Sequence, residues 1–382
     1  MKFQLIRMPS EEVMASGLVE RIGLENAMLH YKVGENSITE ELQVKDHAVA
    51  LQAITAHLMD PETGVIRNKD EIAAVGHRVV HGGNVFSRTI AINAEVKEKI
   101  RENFSLAPLH NPPNLKGIEV AEELFPNSRQ VAVFDTAFHQ SIPRRAAQYA
   151  IPTEFYEEKH IQLYGFHGTS HKYVSKKAVE ELQDKNSKII SIHLGNGCSI
   201  TAVQGGKSLD HSLGFGPVNG LIMGTRSGDI DQSVIFYLID ELGYTSQEVS
   251  DLLHKKSGML GLTGYSDLRD IEEEAAKGNK QCQLALDMNA YRIKKYIGAY
   301  AAVMNGVDAL VFTAGIGENS DVIRSLVCRD MDFFGIKLDE EKNKIRDKRS
   351  RAIQAETSKV KVFVIPTNEE LEIAQQTFEL IS

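Results

Sequence analysis

The sequence has no tryptophan, three cysteines among 382 residues, and no long apolar segment. Cys198, Cys282 and Cys328 are far apart and form no CxxC pair, so neither a disulfide framework nor a cysteine-based zinc site is indicated. This pattern predicts a reducing, cytoplasmic location. No apolar run reaches the ~18–20 residues that span a bilayer, and the first residues show no cleavable signal pattern. We therefore expect no membrane association.

Positive charge is also in short supply, with 43 Lys and Arg against 52 Asp and Glu and a formal net charge of −9. That balance disfavours nucleic acid and anionic membrane surfaces as partners. It still allows a local pocket of a few arginines for a nucleotide or a carboxylate. GxGxxG, GxxxxGK[ST] and HExxH motifs are all absent, which leaves Rossmann, P-loop and zinc-protease interpretations without support.

What is present is an alternation of predicted strands and helices. A chain of 382 residues exceeds one typical core, so two domains are expected, with a boundary near 136–150. The alternation predicts an α/β fold with a mixed sheet in each half. Strands are predicted at 1–6, 72–80, 130–134, within a hairpin at 189–203, at 308–312 and at 359–365. Helices are predicted at 46–59, 95–103, 115–124, 172–183, from 232, at 280–305 and after 370. Segments 107–114 and 164–171 are predicted loops.

Two glycine-rich segments follow predicted strands. Gly195-Asn196-Gly197 separates the strands of the 189–203 hairpin, and its backbone N–H groups can approach an anion closely. An ordinary hairpin explains this segment equally well. Residues 315–319, GIGEN, form a predicted glycine turn after the strand at 308–312, where open α/β sheets bind ligands. Turns after strands are common, so this second signal is weak alone.

Two arginines lie in apolar or glycine-rich surroundings, Arg78 in GHRVVHGG and Arg226 in MGTRSGDID. A guanidinium in such a place needs an anionic partner, because an unpaired buried charge is costly. For either arginine alone, an ion pair with an aspartate is the slightly favoured interpretation. Together, beside glycine turns, they favour a clamp for phosphate or carboxylate.

Acidic and imidazole side chains also lie next to predicted strands and glycines. Asp135 ends an apolar strand and could organise a nucleophile or a metal-bound water, or cap the next element. His167 lies between Phe166 and Gly168, which suits a donor to a transferring phosphoryl group, whereas His139 and His171 are expected to be structural. Glu369, after a strand, suits Mg²⁺ or a helix N-terminus.

Nine segments together resemble the acetate kinase family of the acetate and sugar kinase/Hsp70/actin superfamily. They are GHRVVHGG, APLHNPPN, VFDTAFH, YGFHGTSH, HLGNGCSI, MGTRSGDID, SDLRD, FTAGIGEN and PTNEEL, in the family's order. The resemblance implies α/β domains of ribonuclease-H-like, actin-like topology with a cleft between them. Domain I would comprise 1–136 plus 367–382, and the nucleotide-binding domain II would comprise 137–366. The implied activity is reversible phosphoryl transfer from ATP to acetate with Mg²⁺, or Mn²⁺ in its place, by a homodimer.

The same resemblance implies roles for individual residues, by their match to the family's motifs. The catalytic residues would be Asp135, His167 and Arg226. Substrate would contact Arg78, His110, Val80, Leu109, Phe166 and Pro217, with Val80 favouring acetate over propionate. Nucleotide would contact Lys2, His193, Leu194, Gly195, Asn196, Gly197, Asp267, Leu268, Arg269, Gly315, Ile316, Gly317, Glu318 and Asn319. The magnesium carboxylate would be Glu369.

One departure from the family concerns the first residues. The family has a strand and a serine-rich loop, roughly I-N-x-G-S-S-S-L, before K-F-Q-L, whereas this sequence begins at Met1 and Lys2-Phe3-Gln4-Leu5. We therefore expect the chain as given to show weak or no activity. The alternatives are a kinase for propionate or another short acyl group, and a catalytically impaired nucleotide-binding protein.

Overall fold

Both ends of the sequence contribute to the same folded unit. The computed structural model describes residues 1–382. One unit comprises Met1–Ala137 and Asn368–Ser382, and the other comprises Phe138–Thr367. No helix in either unit is both long and apolar enough to cross a membrane.

Thirteen strands and fifteen α-helices make up the two units. The strands are β1 Lys2–Arg7, β2 Glu12–Glu20, β3 Ala27–Val33, β4 Asn36–Leu42, β5 Ala74–Val79, β6 Ile90–Ala91, β7 Arg129–Phe134, β8 Lys188–Leu194, β9 Cys198–Gln204, β10 Lys207–His211, β11 Ala309–Thr313, β12 Arg351–Ala352 and β13 Lys361–Val364. The helices are α1 His47–Leu58, α2 Ala94–Glu102, α3 Asn111–Leu124, α4 Arg144–Ala147, α5 Thr153–Glu157, α6 Gly168–Leu182, α7 Gln232–Asp240, α8 Ser246–Lys255, α9 Gly258–Thr263, α10 Leu268–Ala276, α11 Lys280–Met304, α12 Ala314–Asn319, α13 Asp321–Cys328, α14 Glu340–Lys344 and α15 Glu369–Ile381.

The first unit contains two sheets. Strands β1 to β4 form an antiparallel sheet in sequence order. Ala27, Leu29 and Tyr31 alternate along β3 and are buried, because successive side chains of a strand point to opposite faces. They join Ile54 of α1 in one hydrophobic core.

The second sheet of this unit has the order β5-β7-β6 and positions charged residues. β5 runs parallel to β7, with Arg78 opposite Val133 and Val79 opposite Phe134. Residues at the carboxyl ends of parallel strands share one edge of a sheet, which brings Arg78 beside Asp135. Helix α15 packs closely on this sheet, since a Cβ added to Gly76 would lie 2.5 Å from Thr377 Oγ1.

The second unit is built on a six-stranded mixed sheet of order β10-β9-β8-β11-β13-β12. β11 is parallel to both β8 and β13, and its five residues are all buried. Val174 and Ala178 of α6 pack in one hydrophobic cluster with Ile189 and Val311 of the sheet. The Gly195–Gly197 turn and α12 therefore follow neighbouring parallel strands.

Three segments differ from the sequence prediction. Helix α3 begins at Asn111 rather than 115, because Pro112 and Pro113 fall in its first turn, where a missing N–H is harmless. Helix α6 begins at Gly168, so His171 is helical and the loop predicted at 164–171 is shorter. Residues 314–319 form helix α12 and not a glycine turn.

The strands at 12–42 were not predicted at all. Their polar and apolar residues alternate over half-exposed surfaces, as in the sequence NSITEEL of β4. Such strands lack the buried β-branched runs from which the central strands were recognised.

Candidate active site

The ion pair between Arg78 and Asp135 is the central feature of the first unit. Arg78 Nη2 donates to Asp135 Oδ2, and Arg78 Nε lies 3.9 Å from Glu369 Oε2. Asp135 is 1% exposed, whereas 42% of the Arg78 side chain remains exposed. The pairing with aspartate, which raises the pKa of Arg78, was the favoured interpretation for this arginine alone. It leaves part of the guanidinium accessible to a second anion.

Glu369 is the first residue of α15, preceded by the capping residue Asn368. Burial and the neighbouring Asp135 raise the pKa of Glu369 well above its usual range, although Arg78 opposes this. The carboxylates of Asp135 and Glu369 repel each other when both are ionised, and a cation between them would relieve that repulsion. Carboxylate oxygens suit Mg²⁺, which commonly binds one or two protein carboxylates and completes its coordination shell with water and phosphate. No group of three or more His, Cys, Asp or Glu side chains that could hold a metal ion occurs in the structure.

Three of the remaining predicted residues of the first unit, Val80, Leu109 and His110, lie near the start of α3. Val80 is buried, and its N–H donates to Asn114 Oδ1 at 3.1 Å. His110 precedes α3 as its N-cap residue, and Leu109 is 73% exposed. Lys2 Nζ lies 2.7 Å from Glu370 Oε1, next to Glu369 in sequence.

In the second unit, the Gly195–Gly197 turn lies against His167 and Arg226. Gly195 N donates to Gly197 O at 3.1 Å, which closes the turn. A Cβ added to Gly197 would lie 3.5 Å from His167 Nε2 and 3.7 Å from Arg226 Nη1. The structure therefore brings together three predicted features that are far apart in sequence.

Arg226 differs from Arg78 because it has no acidic partner within 4 Å. Its Nη1 donates to Pro217 O at 3.1 Å, and burial lowers its pKa. The loop that contains it is held by α11: Arg292 Nη1 donates to Gly220 O at 2.8 Å, and Tyr296 donates to Asp229 Oδ2 at 2.7 Å. The arrangement keeps a cation in place without neutralising it, as an anion site requires.

His167 has a left-handed backbone conformation, φ 55°, at the N-cap of α6. Its ring stacks on that of His193, with centroids 4.3 Å apart. Phe166 is buried, with its N–H donating to His211 Nε2 at 3.1 Å and its carbonyl 3.0 Å from His139 Nε2. His139 and His171 are buried and hydrogen-bonded, consistent with the structural role expected for them.

A small pocket in the second unit touches three of the predicted nucleotide segments. Its lining includes Leu194, Gly195, Leu268 and Ile316. Asp267 caps α10, and hydrogen bonds from two nitrogens of the Arg269 side chain together with the Arg269 backbone N–H lower the pKa of Asp267 to about 2. Arg269 itself points to solvent with 88% of its side chain exposed.

Sequence reasoning missed the residues that support helix α12. Arg324, 1% exposed, donates from Nη1 to Gly317 O at 2.9 Å and Glu318 O at 3.0 Å. Glu318 Oε1 accepts from Thr367 N at 3.1 Å, and Asn319 Nδ2 donates to Gly315 O at 2.8 Å. The bonds from Arg324 satisfy two carbonyls at the end of the helix and thereby favour the helical state of a glycine-rich segment. Nothing in the local sequence around Arg324 indicated this contact.

Residues 1–375 match the acetokinase family model. The chain belongs to the acetokinase family. An acetate kinase of Flavobacterium johnsoniae is 61% identical over 380 residues, covering 100% of this chain and 96% of that protein. An acetate kinase of Carboxydothermus hydrogenoformans is 53% identical, with coverage of 100% and 96%.

Solved structures of the acetokinase family have the same architecture. The crystal structure of Porphyromonas gingivalis acetate kinase matches with a TM-score of 0.94 and 46% identity, covering 100% of this chain and 96% of that one. A propionate kinase from Francisella tularensis matches with a TM-score of 0.93 and 42% identity, covering 99% and 96%. The predicted family and its two-domain, actin-like α/β fold class are thereby confirmed.

Proposed function

We propose that this chain catalyses reversible phosphoryl transfer from ATP to acetate, giving acetyl phosphate and ADP. The observation on which the proposal rests is Arg226, a cation without an acidic partner, beside His167 and the Gly195–Gly197 turn. Family membership supports the reaction class, since relatives 61% and 53% identical are acetate kinases.

Arg78 would bind the carboxylate of acetate. Asp135 holds one of its nitrogens, which fixes the guanidinium, while the exposed part of the group remains available for two-point binding of a second carboxylate. Acetate is already ionised near neutral pH and needs no strong base to attack phosphorus. Asp135 is accordingly assigned to organising Arg78 and the metal's water, and not to obligatory proton removal.

Arg226 and His167 would stabilise the phosphoryl group during its transfer. Phosphoryl transfer requires in-line positioning and cancellation of the charge on the equatorial oxygens. A partly desolvated guanidinium and an imidazole nitrogen on the same side of Gly197 supply donors for those oxygens. Because they are already in place, little reorganisation is needed in the transition state.

Glu369, with Asp135 nearby, would hold Mg²⁺. When bound, the ion neutralises charge on the nucleotide phosphates and relieves the repulsion between the two carboxylates. The residues themselves set its position: Asn368 caps α15 and thereby fixes Glu369 at the first turn.

The nucleotide would bind against the residues that line this pocket of the second unit. Leu194, Leu268 and Ile316 offer apolar contacts to a nucleoside, and backbone N–H groups of the Gly195–Gly197 turn face its phosphates. His193, Asp267, Arg269 and the GIGEN helix would complete the contacts.

The acyl group would contact Val80, Leu109, Phe166 and Pro217. A propionate kinase 42% identical to this chain makes propionate the second candidate substrate. One extra methylene in an apolar pocket changes discrimination by only about 10- to 200-fold, so the preference for acetate is a quantitative one. We further propose a cytoplasmic homodimer.

The decisive experiment measures acetyl phosphate, trapped as hydroxamate, with ATP, Mg²⁺ and either acetate or propionate. Arg78→Ala and Arg226→Ala should each abolish most turnover. Exposed arginines in the same units provide matched controls, Arg101→Ala on α2 and Arg145→Ala on α4. Turnover of both site variants equal to that of the controls contradicts the proposal, as does a wild type that binds ATP but forms no acyl phosphate.

A further inference from the structure

A continuous chain of hydrogen bonds runs from His167 into the interior of the second unit. His167 Nδ1 lies 2.9 Å from Ser199 Oγ, Ser199 Oγ lies 2.7 Å from His171 Nε2, and His171 Nδ1 lies 2.8 Å from Ser191 Oγ. Ser199, His171 and Ser191 are each 0% exposed. We call these four residues the imidazole–serine chain.

The chain results from strand pairing and helix periodicity together. His193 and Ser199 are directly opposite on β8 and β9, as are Ser191 and Thr201. Ser191 and Ser199 therefore point to the same face of the sheet, the one covered by α6. His167 and His171 are four residues apart, so one helical turn places both rings over that face.

The protons of the chain are coupled to one another. Ser199 has one hydroxyl hydrogen and two nitrogen partners, so it donates to one ring and accepts from the other. His171 is held neutral, since burial lowers its pKa far below the usual value. A neutral imidazole has one N–H and one lone pair, so fixing one hydrogen bond fixes the direction of all three.

We propose that Ser199 and His171 are positioning residues that orient the His167 ring and make its Nε2 a hydrogen-bond donor. In this direction Ser191 donates to His171 Nδ1, His171 Nε2 donates to Ser199, and Ser199 donates to His167 Nδ1. Nε2 then holds the hydrogen and lies on the side of Gly197 and Arg226. The opposite direction presents a lone pair to a phosphoryl oxygen, which repels it. This inference rests on the proposed function of His167.

The test combines kinetics with imidazole ¹⁵N NMR of the full chain, with and without AMPPNP, Mg²⁺ and acetate. In the wild type we expect His167 as the neutral tautomer with hydrogen on Nε2. Ser199→Ala should give a mixture of tautomers and lower kcat about 3- to 10-fold, the effect of one buried hydrogen bond. KM values for ATP and acetate should stay within about twofold. Ser199→Thr, which keeps the hydroxyl, should restore the Nε2–H tautomer and most of kcat.

Ser208→Ala is the matched control, because it removes another buried serine–histidine hydrogen bond, the 2.9 Å contact with His139 Nδ1. His171→Gln, which retains one donor and one acceptor, should lie between wild type and Ser199→Ala. Hydrogen on Nδ1 of wild-type His167, unchanged ring nitrogens in Ser199→Ala, or an equal kcat loss in Ser208→Ala overturns the inference. A wild type without acetyl phosphate formation instead overturns the proposed function, and the ring-nitrogen data still decide the direction of the chain.

Discussion

The candidate-site arginines of the two units, Arg78 and Arg226, differ in how their charge is stabilised. In the first, Asp135 is paired with Arg78, and Glu369 lies near the same guanidinium. In the second, Arg226 is held by the backbone carbonyl of Pro217 and has no acidic partner within 4 Å. A paired charge is stabilised before any ligand arrives, whereas an unpaired one gains its partner only from a ligand. Two similar arginine motifs in the sequence thus have different energetic roles.

The largest expected effect comes from removing the unpaired cation. Arg226→Ala should lower kcat by about 10³-fold, the scale of an arginine that stabilises a transferring phosphoryl group. The melting temperature should stay the same or rise, because no buried carboxylate loses a partner. The hydroxamate assay and thermal denaturation measure the two effects. A loss of kcat below tenfold, or a clear drop in melting temperature, contradicts the distinction between the unpaired Arg226 and the paired Arg78.

Removing the paired cation should affect both activity and stability. Arg78→Ala should lower kcat/KM for acetate by about 10²-fold and destabilise the chain by about 2 kcal/mol, since Asp135 stays buried without this partner. The double variant Arg78→Ala/Asp135→Asn should regain most of the stability and none of the activity. If the double variant melts no higher than Arg78→Ala alone, the ion pair is not the source of the loss.

A methyl group placed at Gly197, between His167 and Arg226, should have a smaller effect. Gly197→Ala puts a Cβ 3.5 Å from His167 Nε2 and 3.7 Å from Arg226 Nη1, which is ordinary van der Waals contact. We expect an unchanged melting temperature and a tenfold loss of kcat/KM for ATP, about 1.4 kcal/mol. If Gly197→Ala has the same kinetics as the wild type, phosphate does not approach this turn.

An acidic group of the second unit should affect stability rather than activity. Burial raises the pKa of Asp210 to about 6. The folded state therefore binds its proton more tightly than the unfolded state, and this contribution to stability is lost as pH rises from about 4 to 6. Asp210→Asn should stabilise the chain by about 2 kcal/mol at pH 7 and have little effect near pH 4. Equal effects at both pH values contradict this.

The sequence predicted residues that follow buried strands better than residues brought in by packing. Asp135 after β7 and the glycine turn after β8 follow from short β-branched runs, whose ends lie at the sheet edge. The helical state of GIGEN depends on Arg324, which no local pattern links to it. The imidazole–serine chain did leave a signal: Ser191 and His193, like Ser199 and Thr201, put polar residues at every second position of apolar strands.

The return of the chain to its first unit bears on how that unit is completed during synthesis. Strand β5 and Asp135 leave the ribosome more than two hundred residues before α15, which packs against the same sheet and supplies Glu369. Until then the strand face around Gly76 lacks its helical cover. A nascent chain can form the guanidinium–aspartate pair early, whereas the second carboxylate beside Arg78, that of Glu369, reaches this edge of the sheet only when helix α15 has been made.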